Sequence, residues 1–135
     1  MLALENHSDL HRISPVSLAF LGDGVYELLV REEIIRRFVT LPAGKLHSFT
    51  VKMVCAKAQA KAFLILEPLL TEEETAVFRR GRNATGVTPP RHTDAADYRT
   101  ATGVEALFGW LYMNGRKERI QELFGEVLKH EEEVK

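Results

Sequence analysis

The sequence lacks the residues on which several kinds of site and segment depend. Its one cysteine, Cys55, excludes an intramolecular disulfide and a cysteine-rich zinc site, and its apolar neighbours predict a small buried residue. The five histidines have no metal-ligand spacing, and no serine-nucleophile motif, Walker loop or GxGxxG fingerprint occurs. No apolar run approaches the roughly 20 residues that span a bilayer, and the N-terminus has no apolar signal segment. We therefore expect a cytoplasmic protein that does not contact a membrane.

Acidic residues are missing from two stretches of a chain whose net charge is −1. Between residues 38 and 66 there are four lysines and no acid, and between residues 75 and 93 there are four arginines and no acid. The acids cluster instead at residues 72–74 and 131–133. Segregated positive charge indicates a local anionic partner, although scattered solvated faces give the same composition.

The spacing of apolar residues predicts an all-α fold, with one domain over residues 1–135 and its core at about 14–129. Ser14 and Pro15 form a helix start, and residues 71–74 form a capping box. Soft and β-branched residues at 51–55 predict a kink or a split. Residues 1–13 and the tail after His130 are predicted to be irregular or frayed. The predicted helices are 15–39, 43–66, 72–80, 95–113 and 116–129.

Asp23 lies between two glycines in an apolar helical run, which predicts that it is on a core-facing stripe. A buried carboxylate needs a proton, a cation or hydrogen-bond donors, because an unpaired buried charge is costly. Each glycine costs a helix about 1 kcal/mol relative to alanine. Close approach of another backbone, or room for a ligand, would explain Gly22 and Gly24.

Glu105 is the natural partner of Asp23, because it is the one acid in the apolar helical stretch 104–111. If the two helices pack, the acids face each other and must share a proton or a cation. Ligands that are all oxygen suit Mg²⁺ or Mn²⁺. Glu27, four residues after Asp23 on the same helix face, is a candidate to support such a site without binding the metal directly. Alternatively, each acid accepts a structural N–H bond or pairs with a buried Arg or Lys.

The segment 79–93 combines arginines with glycines, prolines and hydrogen-bonding side chains. Arginine forks onto phosphates, while Asn, Thr and His bond to phosphates, 2′-hydroxyls or base edges. A flexible surface loop with incidental arginines is the alternative. Lys52, Lys57 and Gln59 are candidates to extend the same surface. The candidate nucleic-acid contacts are Lys52, Lys57, Gln59, Arg79, Arg80, Arg82, Asn83, Thr88, Arg91, His92 and Thr93.

Two acidic motifs carry a family resemblance. Residues 20–25, Phe-Leu-Gly-Asp-Gly-Val, resemble the signature helix of the ribonuclease III catalytic domain, and residues 105–109, Glu-Ala-Leu-Phe-Gly, resemble its second acidic motif. The sequence is most similar to the Mini-ribonuclease III group, in the right order from Ser14 to Leu128. The further matching segments are 46–47, 54–60, 71–74, 79–84, 88–89, 92–94 and 98–99.

This resemblance implies an all-helical homodimer that cuts double-stranded RNA with Mg²⁺, for which Mn²⁺ substitutes. It implies that Asp23 and Glu105 are the catalytic and metal-binding residues, that the 79–93 segment grips RNA, and that each cut leaves a 3′ overhang. The Mini group is associated with maturing the ends of precursor 23S ribosomal RNA without a separate double-stranded-RNA-binding domain. We expect the same substrate here, and no such domain.

Two positions depart from the larger enzymes of the family. Those enzymes place a glutamate where this chain has Ala19 and an aspartate where it has Thr102. Only Asp23 and Glu105 remain of that four-acid set, which argues against a full acidic cage, and Thr102 is left as a possible supporting residue. A non-catalytic helical RNA-binding module and a purely structural dimeric protein are the other hypotheses.

Overall fold

The computed structural model describes residues 12–131, which form six α-helices and no strand. One turn of 3-10 helix, Glu67–Leu69, follows the third helix. The all-α prediction is confirmed, while the predictions for residues 1–11 and 132–135 lie outside the described residues. The helices are α1 Pro15–Arg37, α2 Ala43–Val54, α3 Ala56–Leu66, α4 Glu72–Arg82, α5 Ala95–Met113 and α6 Lys117–His130.

Local hydrogen bonds set the predicted helix starts. The Ser14 hydroxyl accepts from the Ser17 amide at 3.1 Å, with proline at the first helical position of α1. At α4, the Thr71 hydroxyl accepts from the Glu74 amide at 3.1 Å, and the Glu74 carboxylate accepts from the Thr71 amide at 3.0 Å. Asp94 caps α5 by accepting from the Asp97 amide at 3.0 Å. These side chains satisfy amides that have no partner within the helix.

The predicted kink in residues 43–66 is a complete break at Cys55. Its backbone is extended, with φ −64° and ψ 159°, so α2 ends and α3 begins on either side of it. The side chain is exposed, and the prediction that Cys55 is buried is wrong. Its neighbours in sequence are apolar, but an outer corner between two helices turns the side chain away from the core.

Helix α5 is the centre of the fold, with α1, α3, α4 and α6 packed around it. Every residue from Ala101 to Leu111 is buried except Glu105, which is half-buried. A helix that is apolar on all sides requires such surroundings. No helix in the described part of the chain is long and apolar enough to cross a membrane.

Helix α1 has two apolar faces, and only one of them meets α5. Leu18, Tyr26 and Val30 are buried on the core side, whereas Phe20 is 85% exposed. Asp23 is also exposed, so the prediction of a core-facing Asp23 is wrong. The apolar spacing around it belongs in part to an outward stripe, which periodicity alone does not distinguish from the buried one.

Candidate active site

The crossing of α1 and α5 brings their backbones into direct contact. A Cβ atom on Gly22 would overlap the carbonyl oxygen of Glu105, and one on Gly109 would overlap the carbonyl oxygen of Leu18. Only glycine fits at these two positions, as expected for a close backbone approach. Gly24 differs, because a Cβ there would meet nothing within 4 Å among the described residues.

This crossing places Asp23 against the side chain of Glu105, confirming that the two acids face each other. Burial, followed by the hydrogen-bonding contact with Asp23, raises the pKa of Glu105 to about 8, while a hydrogen bond from Gln59 opposes the rise. Two adjacent carboxyl groups that cannot both ionise freely hold a proton or attract a cation.

Gln59 is the third polar group of this site. It is 2% exposed, and its amide Nε2 donates to Glu105 Oε2 at 3.2 Å and to the Val54 carbonyl at 2.9 Å. The prediction that Gln59 contacts nucleic acid is wrong, because its side chain is enclosed beneath Glu105. The sequence holds one signal of this burial: Gln59 is the single long polar side chain on the alanine-rich inner face of residues 56–62.

The residues predicted to support the acid pair make their contacts elsewhere. Glu27 pairs with Arg31 at 3.1 Å on the surface of α1. Thr102 is buried, and its hydroxyl donates to the Tyr98 carbonyl of its own helix at 2.9 Å. Ala19 is buried and offers no ligand. The described residues contain no group of three or more acidic, histidine or cysteine side chains that could hold one ion.

The donor set at the crossing fits a hard divalent cation that keeps part of its water shell. Asp23 and Glu105 supply carboxylate oxygens, and their mutual repulsion is relieved by positive charge. Mg²⁺ is commonly bound through one or two carboxylates and retains several waters. The residues present therefore suit such an ion without a closed cage of protein ligands.

The C-terminal end of α4 lies against the same part of α5. A Cβ on Gly81 would stand 2.7 Å from the Ala106 Cβ, one residue from Glu105 in sequence. Arg79 and Arg80 are exposed on this end of α4. The Arg82 guanidinium lies 5.6 Å from the Phe78 ring centroid and donates to the Asn83 side chain at 3.3 Å. Positive charge therefore lies on the end of α4 that packs against residues 102–106 of α5.

Residues 83–94 connect α4 to α5 without regular structure, and α4 continues two residues beyond its predicted end at residue 80. His92 has a φ of 72°, in the left-handed region that non-glycine residues seldom adopt. Thr93 is half-buried. The exposed candidates of this segment are Asn83, Thr88, Arg91 and His92.

Lys52 and Lys57 lie at the corner between α2 and α3. Both are exposed, and both line a cavity of about 460 Å³ with Tyr26, which is one turn after Asp23 on α1. The Lys52 ammonium lies 5.6 Å from the Phe49 ring centroid. These lysines therefore form a second basic surface, reached from the α2–α3 corner rather than from the α4–α5 connection.

Comparison with known proteins connects this geometry to a family. The Ribonuclease III domain model matches residues 16–116, most of the chain and both acidic motifs. The chain belongs to the ribonuclease III family. Among its curated relatives, Mini-ribonuclease 3 of Brevibacillus brevis is 44% identical over 115 residues, which are 85% of each chain. Mini-ribonuclease 3 of Staphylococcus aureus is 35% identical over 129 residues, 93% of this chain and 96% of the relative.

A solved structure shares this helical fold. A crystal structure of a Fusobacterium nucleatum protein superposes with a TM-score of 0.80 at 28% identity, covering 91% of this chain and 98% of the other. The resemblance to the Mini-ribonuclease III group is confirmed, as is the expected helical bundle. The chain is an endoribonuclease of the ribonuclease III family.

Proposed function

We propose that this chain is a magnesium-dependent endoribonuclease that cleaves double-stranded RNA, with Asp23 and Glu105 as its catalytic and metal-binding residues. The observation that carries the proposal is the pairing of these two acids across the glycine crossing of α1 and α5, in a chain of the ribonuclease III family. Both acids belong to the segment that the family model matches.

Asp23 and Glu105 would hold Mg²⁺ directly or through waters, and Mn²⁺ would take its place. The chemistry that such an ion would supply is activation of water for attack on the phosphodiester and stabilisation of charge on the leaving 3′ oxygen. Asp23 is exposed, so the site is open to a duplex that approaches along α1. Glu105 binds a cation only when ionised, so it must lose the proton that its surroundings favour. The products carry 5′-phosphate and 3′-hydroxyl ends.

The basic surface at the end of α4 would hold the RNA backbone. Arg79 and Arg80 are exposed at the end of α4, and the 83–93 connection adds exposed hydrogen-bonding groups. A-form RNA is recognised mainly through its backbone and minor groove, which this mixture of groups suits. Lys52 and Lys57 would bind a further part of the duplex. Affinity should then fall steeply as the salt concentration rises.

A second copy of this chain would cover the outward face of α1. Phe20, Leu28 and Ile35 are 85%, 63% and 62% exposed, and neighbouring positions on a helix three and four apart share a face. Gly24 lies in this stripe and leaves open space for a partner backbone. We propose a homodimer of single catalytic domains, each formed by residues of about 14–129, with one active site in each subunit.

Precursor 23S ribosomal RNA is the substrate that we propose within this class. The support is the family relationship, since the curated relatives are named Mini-ribonuclease 3. A ribosomal RNA precursor implies action in the cytoplasm. Neither proposal alters the roles given to Asp23 and Glu105.

The test is incubation with precursor 23S ribosomal RNA, and separately with a perfect RNA duplex, followed by mapping of both ends of each cut. We expect Mg²⁺-dependent cleavage of both strands with a 3′ overhang. Binding without cleavage would favour a non-catalytic RNA-binding module, which Ala19 and Thr102 make the leading alternative. Absence of any RNA binding would favour a purely structural dimer.

A further inference from the structure

Gln59 is a buried polar side chain to which the proposed chemistry gives no part. It lies in the first turn of α3, immediately after the break at Cys55, and is 2% exposed. Its amide nitrogen donates two hydrogen bonds, one to the last residue of α2, Val54, and one to the carboxylate of Glu105. This amide therefore ties the α2–α3 corner to an acid on α5.

The two acceptors fix the orientation of the amide. The Val54 backbone carbonyl can only accept, so the NH₂ end of Gln59 must face it, and Glu105 Oε2 accepts from the same nitrogen. The opposite orientation would direct the amide oxygen at two other oxygens. With this orientation, the Gln59 Oε1 atom is buried without a hydrogen-bond partner among the described residues.

An unpartnered buried oxygen indicates that stability alone does not explain glutamine at this position. Leaving a buried polar atom unsatisfied costs free energy, whereas an apolar side chain of the same shape fills the space without that cost. Methionine has a similar length and would remove the unpartnered oxygen. What methionine lacks is the donor that Gln59 gives to Glu105 and to the Val54 carbonyl.

We propose that Gln59 is a positioning residue that holds the Glu105 carboxylate where it and Asp23 can bind one divalent cation. The inference rests on the proposed function, because it takes these two acids as the cation ligands. Hydrogen-bond partners of metal ligands restrict the orientation of those ligands, and their loss typically weakens metal binding about 10–100-fold. Gln59 acts through Glu105 and makes no contact with RNA.

The test is Gln59→Met in the full chain, with Mn²⁺ binding measured by isothermal titration calorimetry without RNA. We expect affinity to fall about 10–100-fold, while the thermal midpoint of the metal-free protein changes little, because removal of the unpartnered oxygen offsets the lost bond to the Val54 carbonyl. Thr50→Val is the matched control, because Thr50 is 6% exposed and its hydroxyl bonds only to the Leu46 carbonyl of its own helix. Unchanged Mn²⁺ affinity in Gln59→Met would overturn the inference.

A second measurement needs no substitution at residue 59. In the wild-type protein, the side-chain amide resonances of Gln59 should shift when Mg²⁺ is added, and resonances that stay fixed at saturation would overturn the inference.

Asp23→Asn and Glu105→Gln separate the positioning role of Gln59 from the proposed function. If both variants lose Mn²⁺ binding and Gln59→Met does not, only the positioning role fails. If the wild-type protein binds no Mn²⁺, the proposed function fails and the inference fails with it.

Discussion

The acid pair and the basic surface at the end of α4 are built in different ways. Asp23 and Glu105 are positioned by two helix backbones in contact at Gly22 and Gly109, where no other residue fits. Arg79 and Arg80 are exposed near the end of α4, where an irregular connection begins. Holding a metal requires oxygens at fixed positions, whereas attraction to a phosphate backbone depends on charge and tolerates movement. We infer that substitutions near the crossing act through structure, and substitutions on the basic surface act through charge.

Helix α4, which carries these arginines, is held in place at its opposite end by hydrogen bonds. Arg119 of α6 donates to both oxygens of the buried Glu74 at 2.9 and 2.8 Å, and to the Leu69 carbonyl at 2.8 Å. Burial works to raise the pKa of Glu74, but hydrogen bonds from Arg119 and Thr71 lower it below its usual value. The arginines thus extend from a helix that is fixed at its start.

The largest expected effect is that of Gly22→Ala. The added Cβ would overlap the Glu105 carbonyl, so α1 and α5 must separate and the acid pair with them. We expect the free energy of unfolding to fall by about 3 kcal/mol or more, measured by urea denaturation. Gly125→Ala in α6 is the control, because a Cβ there meets nothing within 4 Å. Equal stability of the Gly22 variant and the wild type would refute the crossing as the device that positions the acids.

The variant Phe20→Ala tests whether the exposed apolar stripe of α1 forms the interface of the proposed homodimer. If a second copy covers this side chain, the variant loses about 2 kcal/mol of dimer association, or roughly 30-fold in the dissociation constant. Analytical ultracentrifugation measures the change. Leu64→Ala is the control, because Leu64 is 61% exposed on α3, away from the stripe. A wild-type protein that sediments as a monomer at high concentration would contradict the proposed dimer.

Reversal of two exposed charges tests the basic surface. The double variant Arg79→Glu with Arg80→Glu should bind RNA duplex about tenfold more weakly, and the slope of log affinity against log salt should fall by about two. Its unfolding midpoint should change little, because both side chains are exposed. The double variant Lys117→Glu with Lys129→Glu changes the net charge equally on α6. If both pairs weaken binding alike, charge at the end of α4 has no special role.

The smallest effect concerns pH and the stability of the metal-free protein. The pKa of Glu105 is raised from its ordinary value to about 8, so the folded state disfavours the ionised form. The free energy of unfolding should therefore decrease as the pH rises from about 4.5 to about 8. Glu105→Gln removes this term and should be the more stable protein at pH 8.5, by about 1 kcal/mol after solvent screening. Denaturation curves at pH 5 and pH 8.5 that show no growing difference would contradict the raised pKa.

Local chemistry allowed much of the fold to be predicted from the sequence. Ser14 and Thr71 marked helix starts, because capping bonds form within three residues of each cap. The pairing of Asp23 with Glu105 was also predictable, since two acids in apolar helices must find a common partner.

The remaining features depend on contacts between distant segments. The exposure of Asp23 follows from which face of α1 meets α5, and periodicity gives no preference when both faces are apolar. The burial of Gln59 depends on the position of α5, and the bond of Glu74 to Arg119 joins residues 45 apart. Nothing in the local sequence specifies such pairs.

The most direct test of the central claim is single-turnover cleavage of a perfect RNA duplex at saturating Mg²⁺ by the wild type and by Asp23→Asn. The substitution keeps the shape of the side chain and removes its charge. Loss of several kcal/mol of transition-state stabilisation predicts a rate lower by about a thousandfold or more, with RNA affinity and thermal midpoint nearly unchanged. Cleavage by Asp23→Asn at the wild-type rate would contradict the account.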